Sequence, residues 1–375
     1  MKILLLAGEE SGVMYAERIA NEVRGRIPSA EIRGYVDYGF KTGDLAVMGV
    51  GQVLKRIFYF LRVKRTMERA IDEWKPDVVC TVDYPGMNLK LAAYAKARGI
   101  RAVHVVCPQV WAWKKGRIPK IEASLDKLCC FFPFETKLFK PGFAEFVGHP
   151  LVDAFASEAK AKGLGEQRKG RTLALLPGSR LGEIEKHLPT LLEVVEKLQA
   201  EMPNLKVVIP AANERAYEGI LKRVSRLSPE QQINRPTVQV VRGGAREILR
   251  GADAAVVASG TATLEAALAG CPTVLVYKVG WLFAFLARRF IKGIRHIGLA
   301  NVIAEKAGVP CPMPELLQED FTVVNILQYV SAWLNDPVAN AVARQSLEDT
   351  MKLLKSDGGA IGRIVKELAI RRPVH

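Results

Sequence analysis

Two glycine-containing turns carry the residue types that hold a phosphate. The first, Pro177-Gly178-Ser179-Arg180, ends the apolar run Leu173–Leu176. A glycine turn there lets a diphosphate come close to the backbone, and the planar, permanently charged fork of Arg180 can grip its oxygens. The second, Ser259-Gly260-Thr261, follows the small apolar run Ala254–Ala258 and precedes a helix expected over Thr263–Gly270. A helix start offers free N–H groups and the positive end of its dipole, and the hydroxyls of Ser259, Thr261 and Thr263 add donors. Taken alone, this turn is equally a plain helix cap. Neither turn has the G-x-G-x-x-G form of a dinucleotide site or the lysine of a P-loop. Glu265 lies early in the expected helix, where it can reach a ribose. Together the two turns predict a nucleotide-diphosphate site in the second half of the chain.

The elements that must position these turns alternate along the whole sequence. Strands are expected at Ile3–Ala7, Val78–Val82, Ala102–Val106, Leu128–Phe132 and Glu145–Gly148, with helices at Gly12–Ile27, Val53–Trp74 and Leu89–Gly99. The second half repeats the pattern, with strands at Leu173–Leu176, Val207–Ile209, Val238–Val241, Ala254–Ala258 and Thr273–Tyr277. Its helices are expected at Leu188–Met202, Glu214–Arg226 and Thr263–Gly270. Such alternation predicts an α/β fold of parallel sheets covered by helices on both faces. Ser157–Arg171, polar and poor in large apolar residues, is the expected linker. We therefore expect two Rossmann-like domains with a cleft between them, residues 1–160 and 161–344. A tail helix, read at Leu347–Ile370 within about 345–375, is expected to return to the first domain. Ligands bind beyond the carboxyl ends of parallel strands, and both turns should lie there.

Composition narrows the partners. Against 39 Asp+Glu stand 54 Lys+Arg, a formal net charge of +15, which favours an anionic partner. Nucleic-acid binding would explain the charge alone, because no recognition motif accompanies it. The six cysteines show no C-x-x-C spacing, so buried free thiols are expected and no zinc site. The short apolar start reads as a first strand rather than a signal peptide, and no window is long and apolar enough to span a bilayer. A cytoplasmic protein is expected. Two segments are amphipathic if helical. In Leu54–Arg69 the residues Leu54, Ile57, Phe58 and Leu61 share one face, crowded by Lys55, Arg56, Arg62, Lys64, Arg65 and Arg69. In Trp281–Arg295 the residues Leu282, Phe283, Leu286 and Phe290 cover one arc, with Arg288, Lys292 and Arg295 on the opposite side. Each is either a core-facing helix with a basic back or a surface for an anionic membrane.

A series of short motifs resembles the lipid-A-disaccharide synthases, inverting glycosyltransferases of the two-domain GT-B type (family 19). They are Gly8-Glu9-Glu10-Ser11-Gly12, Leu45-Ala46-Val47-Met48-Gly49, Lys75-Pro76-Asp77-Val78 and Val82-Asp83-Tyr84-Pro85. Further on come Val110-Trp111-Ala112-Trp113-Lys114, Phe132-Pro133-Phe134-Glu135, Val147-Gly148-His149-Pro150, the Pro-Gly-Ser-Arg turn, and Ala258–Glu265. Trp-Ala-Trp followed by Pro-Gly-Ser-Arg in this order is the specific part. The resemblance implies transfer of a sugar from UDP-2,3-diacylglucosamine to 2,3-diacylglucosamine 1-phosphate (lipid X), giving a β-1,6-linked disaccharide phosphate and UDP. It implies no cofactor and no metal, a peripheral position on the cytoplasmic face of the inner membrane, and a homodimer as a plausible assembly.

Inversion needs a base for the acceptor hydroxyl. Asp83, which ends the strand Val78–Val82 and matches the family's carboxylate, is the expected base; by position alone it is also a helix cap. Glu9 supports it or takes the base role. Gly178, Ser179, Arg180, Ser259, Gly260, Thr261, Thr263, Glu265 and Asn301 are expected on the UDP side. Ser11, Trp111, Trp113, His149, Phe58, Leu61, Arg62, Phe285 and Arg288 are expected on the acceptor and lipid side, with His149 equally a satisfied loop histidine. The chain departs from the family pattern at Glu10, Val13, Gly86 and Gln109 and is short over Gly34–Asp44. All these departures fall in the first domain, which bears on the acceptor and leaves the UDP-sugar motifs intact. A related transferase or UDP-sugar epimerase with another acceptor, or a non-catalytic binding homologue, are the competing expectations.

Overall fold

A computed structural model describes residues 1–40, 57–111, 115–161, 171–225, 238–279 and 295–370. The chain divides into two compact units, Met1–Asp153 with Leu354–His375, and Ala154–Leu353.

In the first unit the order is β1 (Lys2–Ala7), α1 (Glu10–Arg26), β2 (Glu31–Arg33), α2 (Ile57–Trp74), β3 (Val78–Val82), α3 (Pro85–Lys96) and β4 (Arg101–Val105). Then follow α4 (Ile118–Ser124), β5 (Lys127–Cys130), β6 (Ala144–Phe146) and the start of α5 (Pro150–Ala161). The sheet runs β2-β1-β3-β4-β5-β6, with every neighbouring pair parallel. Strands with both faces covered read as unbroken apolar runs, and the alternation of side chains divides them between two cores. Ile3, Leu5 and Ala7 pack with Tyr15, Ile19 and Val23 of α1. Leu4 and Leu6 pack on the other face with Val63, Met67, Ile71 and Trp74 of α2.

The second unit contains β7 (Thr172–Leu176), α6 (Leu181–Glu201), β8 (Lys206–Ala211), α7 (Glu214–Val224), β9 (Val238–Arg242), α8 (Ala245–Gly251) and β10 (Ala254–Ala258). After these come α9 (Thr261–Leu268), β11 (Thr273–Tyr277), α10 (Leu299–Ala307), β12 (Glu315–Leu317), α11 (Val323–Asn335) and α12 (Pro337–Lys352). Its sheet runs β12-β11-β10-β7-β8-β9, again all parallel. The last helix, α13 (Ala360–Ala369), belongs to the first unit and adds Ile364, Val365 and Leu368 to the core around Ile3 and Val78.

Several boundaries differ from the sequence reading for identifiable reasons. α3 begins at Pro85 rather than Leu89, because proline fits the first helical turn, where no N–H is needed. α6 begins at Leu181 rather than Leu188 and carries Pro189 within its length. The expected linker Ser157–Arg171 opens as the end of α5, and its residues 162–170 lie outside the described residues. The expected Leu347–Ile370 helix is two helices, interrupted before α13 by Gly358 and Gly359 at φ 81° and 74°.

Candidate active site

In the first sheet the strand order reverses direction between β1 and β3, and in the second between β7 and β10. Ligands of such sheets bind at the carboxyl ends of the strands flanking this point. Four of the loops singled out from the sequence lie there: Gly8-Glu9 after β1, Asp83-Tyr84 after β3, Pro177–Arg180 after β7, and Ser259-Gly260 after β10.

Asp83 and Tyr84 both have φ of 51°, a left-handed region that side chains other than glycine, asparagine and aspartate rarely enter. The elbow is held open by its surroundings. Asp83 N–H donates to Val105 O at 2.9 Å, and Tyr84 N–H donates to Asp83 Oδ1 at 2.8 Å. Beneath it, the fully buried Asn88 directs Nδ2 at Leu6 O (3.2 Å), Val82 O (3.2 Å) and Asp83 O (2.8 Å). Its Oδ1 accepts from Tyr35 Oη–H at 2.8 Å. Gly8 is required by close approach, since a Cβ there would lie 2.4 Å from the Tyr84 ring. A Cβ on Gly12 would lie 3.6 Å from Asp83 Cβ, so the first helix runs against the elbow.

The two carboxyls share one environment. Burial raises Asp83 above the ordinary aspartate value, and the Tyr84 N–H only partly offsets this. Partial burial also raises Glu9, and the charge of Asp83 raises it further, although by surface area Glu9 is exposed. Both shifts favour the protonated acid relative to a free carboxyl.

An aromatic line runs through the same unit. Trp111 meets Phe134 edge-on at 5.6 Å, Phe134 stacks on Phe132 at 5.7 Å, and His149 lies 5.6 Å from Phe132 and 5.1 Å from Phe131. His149 is buried, its Nδ1 accepts from Leu151 N–H at 3.2 Å, and burial lowers it to about 4. It is therefore a neutral ring at the start of α5.

In the second unit, Gly178 takes φ 123° at the end of β7, and a Cβ there would lie 2.7 Å from Glu183 Cβ. Glu183 occupies the start of α6: Oε2 accepts from Ser179 N–H (3.2 Å) and Arg180 N–H (3.4 Å), and Oε1 accepts from Arg180 Nη1 (3.0 Å). Arg180 itself is exposed. The buried His187 ties this turn to the end of β11, with Nδ1 2.8 Å from Pro177 O and Nε2 accepting from Lys278 N–H at 3.0 Å.

The turn after β10 differs, because no side chain caps α9. Ser259 is half-buried, and Gly260 and Thr261 are exposed. Thr263 is buried and its hydroxyl donates to Gly260 O at 2.7 Å, so its proton is used within the turn. Glu265 is engaged by Arg246 Nε at 2.9 Å, and Arg246 also reaches Glu158 at 3.1 Å. Asn301 is fully used as well: Nδ2 donates to Met313 O (2.7 Å) and Glu315 Oε1 (2.8 Å), and Oδ1 accepts from Met313 N–H (3.1 Å).

Against this geometry, residues 3–357 match the family model described as lipid-A-disaccharide synthetase. The chain belongs to the lipid-A-disaccharide synthetase family. It is 36% identical over 344 residues to the lipid-A-disaccharide synthase of Myxococcus xanthus, covering 88% of this chain and 87% of the relative. It is 33% identical over 389 residues to lipid-A-disaccharide synthase 1 of Legionella pneumophila, covering 98% and 97%. Among solved structures it is similar to the UDP-GlcNAc 2-epimerase of Neisseria meningitidis bound to UDP-GlcNAc, with a TM-score of 0.64, 11% identity and coverage of 98% and 99%. It is also similar to MurG of Acinetobacter baumannii, with a TM-score of 0.58, 12% identity and coverage of 98% of each chain. These structural likenesses show the GT-B fold that the sequence predicts.

Within that family pattern, Val13 packs against the core of the first unit, while Gly86 and Gln109 are exposed. Phe58, 82% exposed, lies on the outward face of α2 with Ile57, Leu61 and Arg62. The remaining face, Val63, Met67, Ala70, Ile71 and Trp74, supplies the core. Trp113, Phe285 and Arg288 lie outside the described residues, as do residues 54–56 and the motif at 45–49. Ser11 stands in the first turn of α1, and its side chain also lies outside the described residues. Asn88, Glu183, His187 and Arg246 were given no role by the sequence reading. The one available hint was a polar residue at an otherwise apolar helix position, and only for Asn88 and His187.

No metal site was expected. Among the described residues, the buried Cys107, Cys130 and Glu135 bring three potential ligand atoms within 4.8 Å of one another. Burial raises Glu135 to about 8, and Phe132 N–H donates to its Oε2 at 3.1 Å. At neutral pH the group holds its proton, and the cluster reads as a polar knot beneath the Trp111 loop.

Proposed function

We propose that this chain joins UDP-2,3-diacylglucosamine to lipid X, forming the β-1,6-linked lipid A disaccharide 1-phosphate and releasing UDP. The observation that carries the reading is the pair Glu9 and Asp83, carboxyls of raised pKa at the switch point of the first sheet, in a member of this family. Asp83 takes the proton of the acceptor hydroxyl as that oxygen attacks the anomeric carbon from the face opposite UDP, which gives inversion. Glu9 orients the acceptor. The departing diphosphate is stabilised by the uncapped start of α9 and by Arg180, which leaves Glu183 to reach it. Glu265 turns from Arg246 to the ribose. Gly178, Ser179, Ser259, Gly260 and Thr261 line the diphosphate path. Thr263 and Asn301 act indirectly, by holding the turn and α10. Trp111 and the aromatic line ending at His149 provide the acceptor side. This charge stabilisation by protein groups requires no metal.

The lipid chains of both substrates demand a membrane. Ile57, Phe58 and Leu61, exposed at 47%, 82% and 43%, lie beside Arg62, Arg65 and Arg69, so this end of α2 rests on an anionic bilayer face. The homodimer and the inner-membrane location follow from the family resemblance alone. The direct test is UDP release in detergent, with and without lipid X, for wild type and Asp83→Asn. Release that depends on lipid X and collapses in the variant supports the reading. Acceptor-independent or mutation-insensitive release refutes it.

A further inference from the structure

Away from the switch points, the second unit carries a nucleophile, a base and an orienting carboxylate in series. Cys311 precedes β12 and is exposed, whereas Cys80, Cys107, Cys129, Cys130 and Cys271 are all buried. Its Sγ lies 3.3 Å from His296 Nε2, hydrogen-bond reach for a thiol, and 3.8 Å from Asn301 O. On the opposite side of the ring, His296 Nδ1 lies 3.5 Å from Glu315 Oε1. Glu315 cannot readily turn away. Its Oε2 accepts from Ile297 N–H at 2.9 Å, and its Oε1 accepts from Gly298 N–H at 3.1 Å and Asn301 Nδ2 at 2.8 Å.

The order thiol, imidazole, carboxylate has a chemical consequence. A carboxylate facing Nδ1 keeps the ring proton on that nitrogen, which leaves the lone pair of Nε2 aimed at the thiol. The thiol itself is a poor nucleophile unaided, because burial and then the charges of Glu315 and Glu305 push its pKa up. It gains thiolate character only by giving its proton to a neighbour, and His296 is the neighbour in reach.

We propose that Cys311, His296 and Glu315 form a base-assisted thiol site that is modified by low-molecular-weight disulfides. In the reaction the Sγ–H proton passes to His296 Nε2 as Sγ attacks one sulfur of the disulfide. The old S–S bond breaks, a new one forms to Cys311, and the departing thiolate takes the proton back from His296. One disulfide is consumed, one mixed disulfide and one free thiol are produced, and no other oxidant is needed.

The test treats the purified full chain with glutathione disulfide and maps the adduct by mass spectrometry. It then follows the rate with a chromogenic aromatic disulfide from acid to alkaline pH, for wild type, Cys311→Ser and His296→Gln, with folding checked by thermal melts. The expected result is one glutathione per native chain, on Cys311 and absent in Cys311→Ser. His296→Gln should react about 10-fold more slowly near neutral pH, with the gap closing where the thiol ionises unaided. The wild-type profile gives a second reading that needs no variant: its rate should level off below the pH range of thiol ionisation. Adducts on another cysteine, equal wild-type and His296→Gln rates at all pH values, or a wild-type rate that climbs steadily with thiol ionisation would each overturn the proposal.

Discussion

At the scale of the residue, Asp83 is held in a state that costs the fold something. Burial raises its pKa above the ordinary 3.8, so the folded protein holds this proton more tightly than the unfolded chain does. Above that value the unfolded chain ionises more readily, and this group withdraws stability as pH rises. Catalysis needs the ionised form, so activity should climb with pH through the raised range. Asp83→Asn is therefore expected to lower lipid X-dependent UDP release by about 100-fold or more and to raise Tm at pH 7. The gain in Tm should disappear under strongly acidic conditions, where both states hold the proton; assays and melts across pH check the pair. Asparagine also tolerates the left-handed backbone at this position, which keeps the elbow intact. Asn88 is the counterpart that stabilises. Its removal strands Tyr35 Oη and carbonyls beneath the elbow, so Asn88→Ala should cost about 3 kcal/mol in urea unfolding. Asp83 and Glu9 stood out in the sequence because Asp83 directly follows an apolar strand and Glu9 follows one after a single glycine. Asn88 did not, since its acceptors come from Leu6, Val82 and Asp83, and only the folded sheet brings them together.

At the scale of the element, two helix starts meet the same demand differently. α6 is capped by Glu183, which takes the N–H groups of Ser179 and Arg180, whereas α9 has no side-chain cap. Glu183→Ala should lower stability by about 1 kcal/mol, as loss of a capping carboxylate does. Arg180→Ala, on an exposed side chain, should leave Tm unchanged and weaken UDP binding about 10-fold. Calorimetry of UDP binding beside thermal melts separates the two, and matching effects on both observables would refute this division of labour. The helix α2 makes a similar division along its length. Replacing Phe58 and Leu61 by aspartate should change stability by no more than about 0.5 kcal/mol while abolishing flotation with anionic vesicles, because neither side chain belongs to the core. Periodicity showed these helices but misplaced their starts: Pro85 and Pro189 look like breaks in a sequence, yet a first-turn proline needs no N–H and a long helix can carry one inside. Which end of α2 faces solvent depended on the sheet it covers.

At the scale of the whole molecule, buried titrating groups set the pH at which the first unit is most stable. Burial lowers His104 to about 3 and His149 to about 4, so both stay neutral in the fold while the unfolded chain protonates them below 6.5. Stability is therefore lost as pH falls from 6.5. Glu135, raised to about 8, acts the other way: the unfolded chain releases this proton from 4.5 upward, and stability declines toward pH 8. The two histidines and Glu135 favour a maximum near pH 6.5, Asp83 and Glu9 add to the loss as pH rises, and Glu135→Gln should reduce the decline above the maximum. Urea unfolding at pH 5, 6.5 and 8, followed by hydrogen exchange in peptides of the first unit, checks both statements. The two parallel sheets were legible as alternating runs. The chain's return to its first unit was expected of a tail helix, and the tie that makes it is local: Ser356 Oγ donates to Val147 O at 2.6 Å, and His149 N–H donates to Leu354 O at 3.2 Å. That route has a consequence for biosynthesis. Because Ile364, Val365 and Leu368 of α13 complete the core around Ile3 and Val78, the N-terminal sheet waits on the ribosome with that apolar surface uncovered while all of Ala154–Leu353 is translated. A message cut short before α13 would leave that surface uncovered, and its product would be fit chiefly for chaperones and proteases.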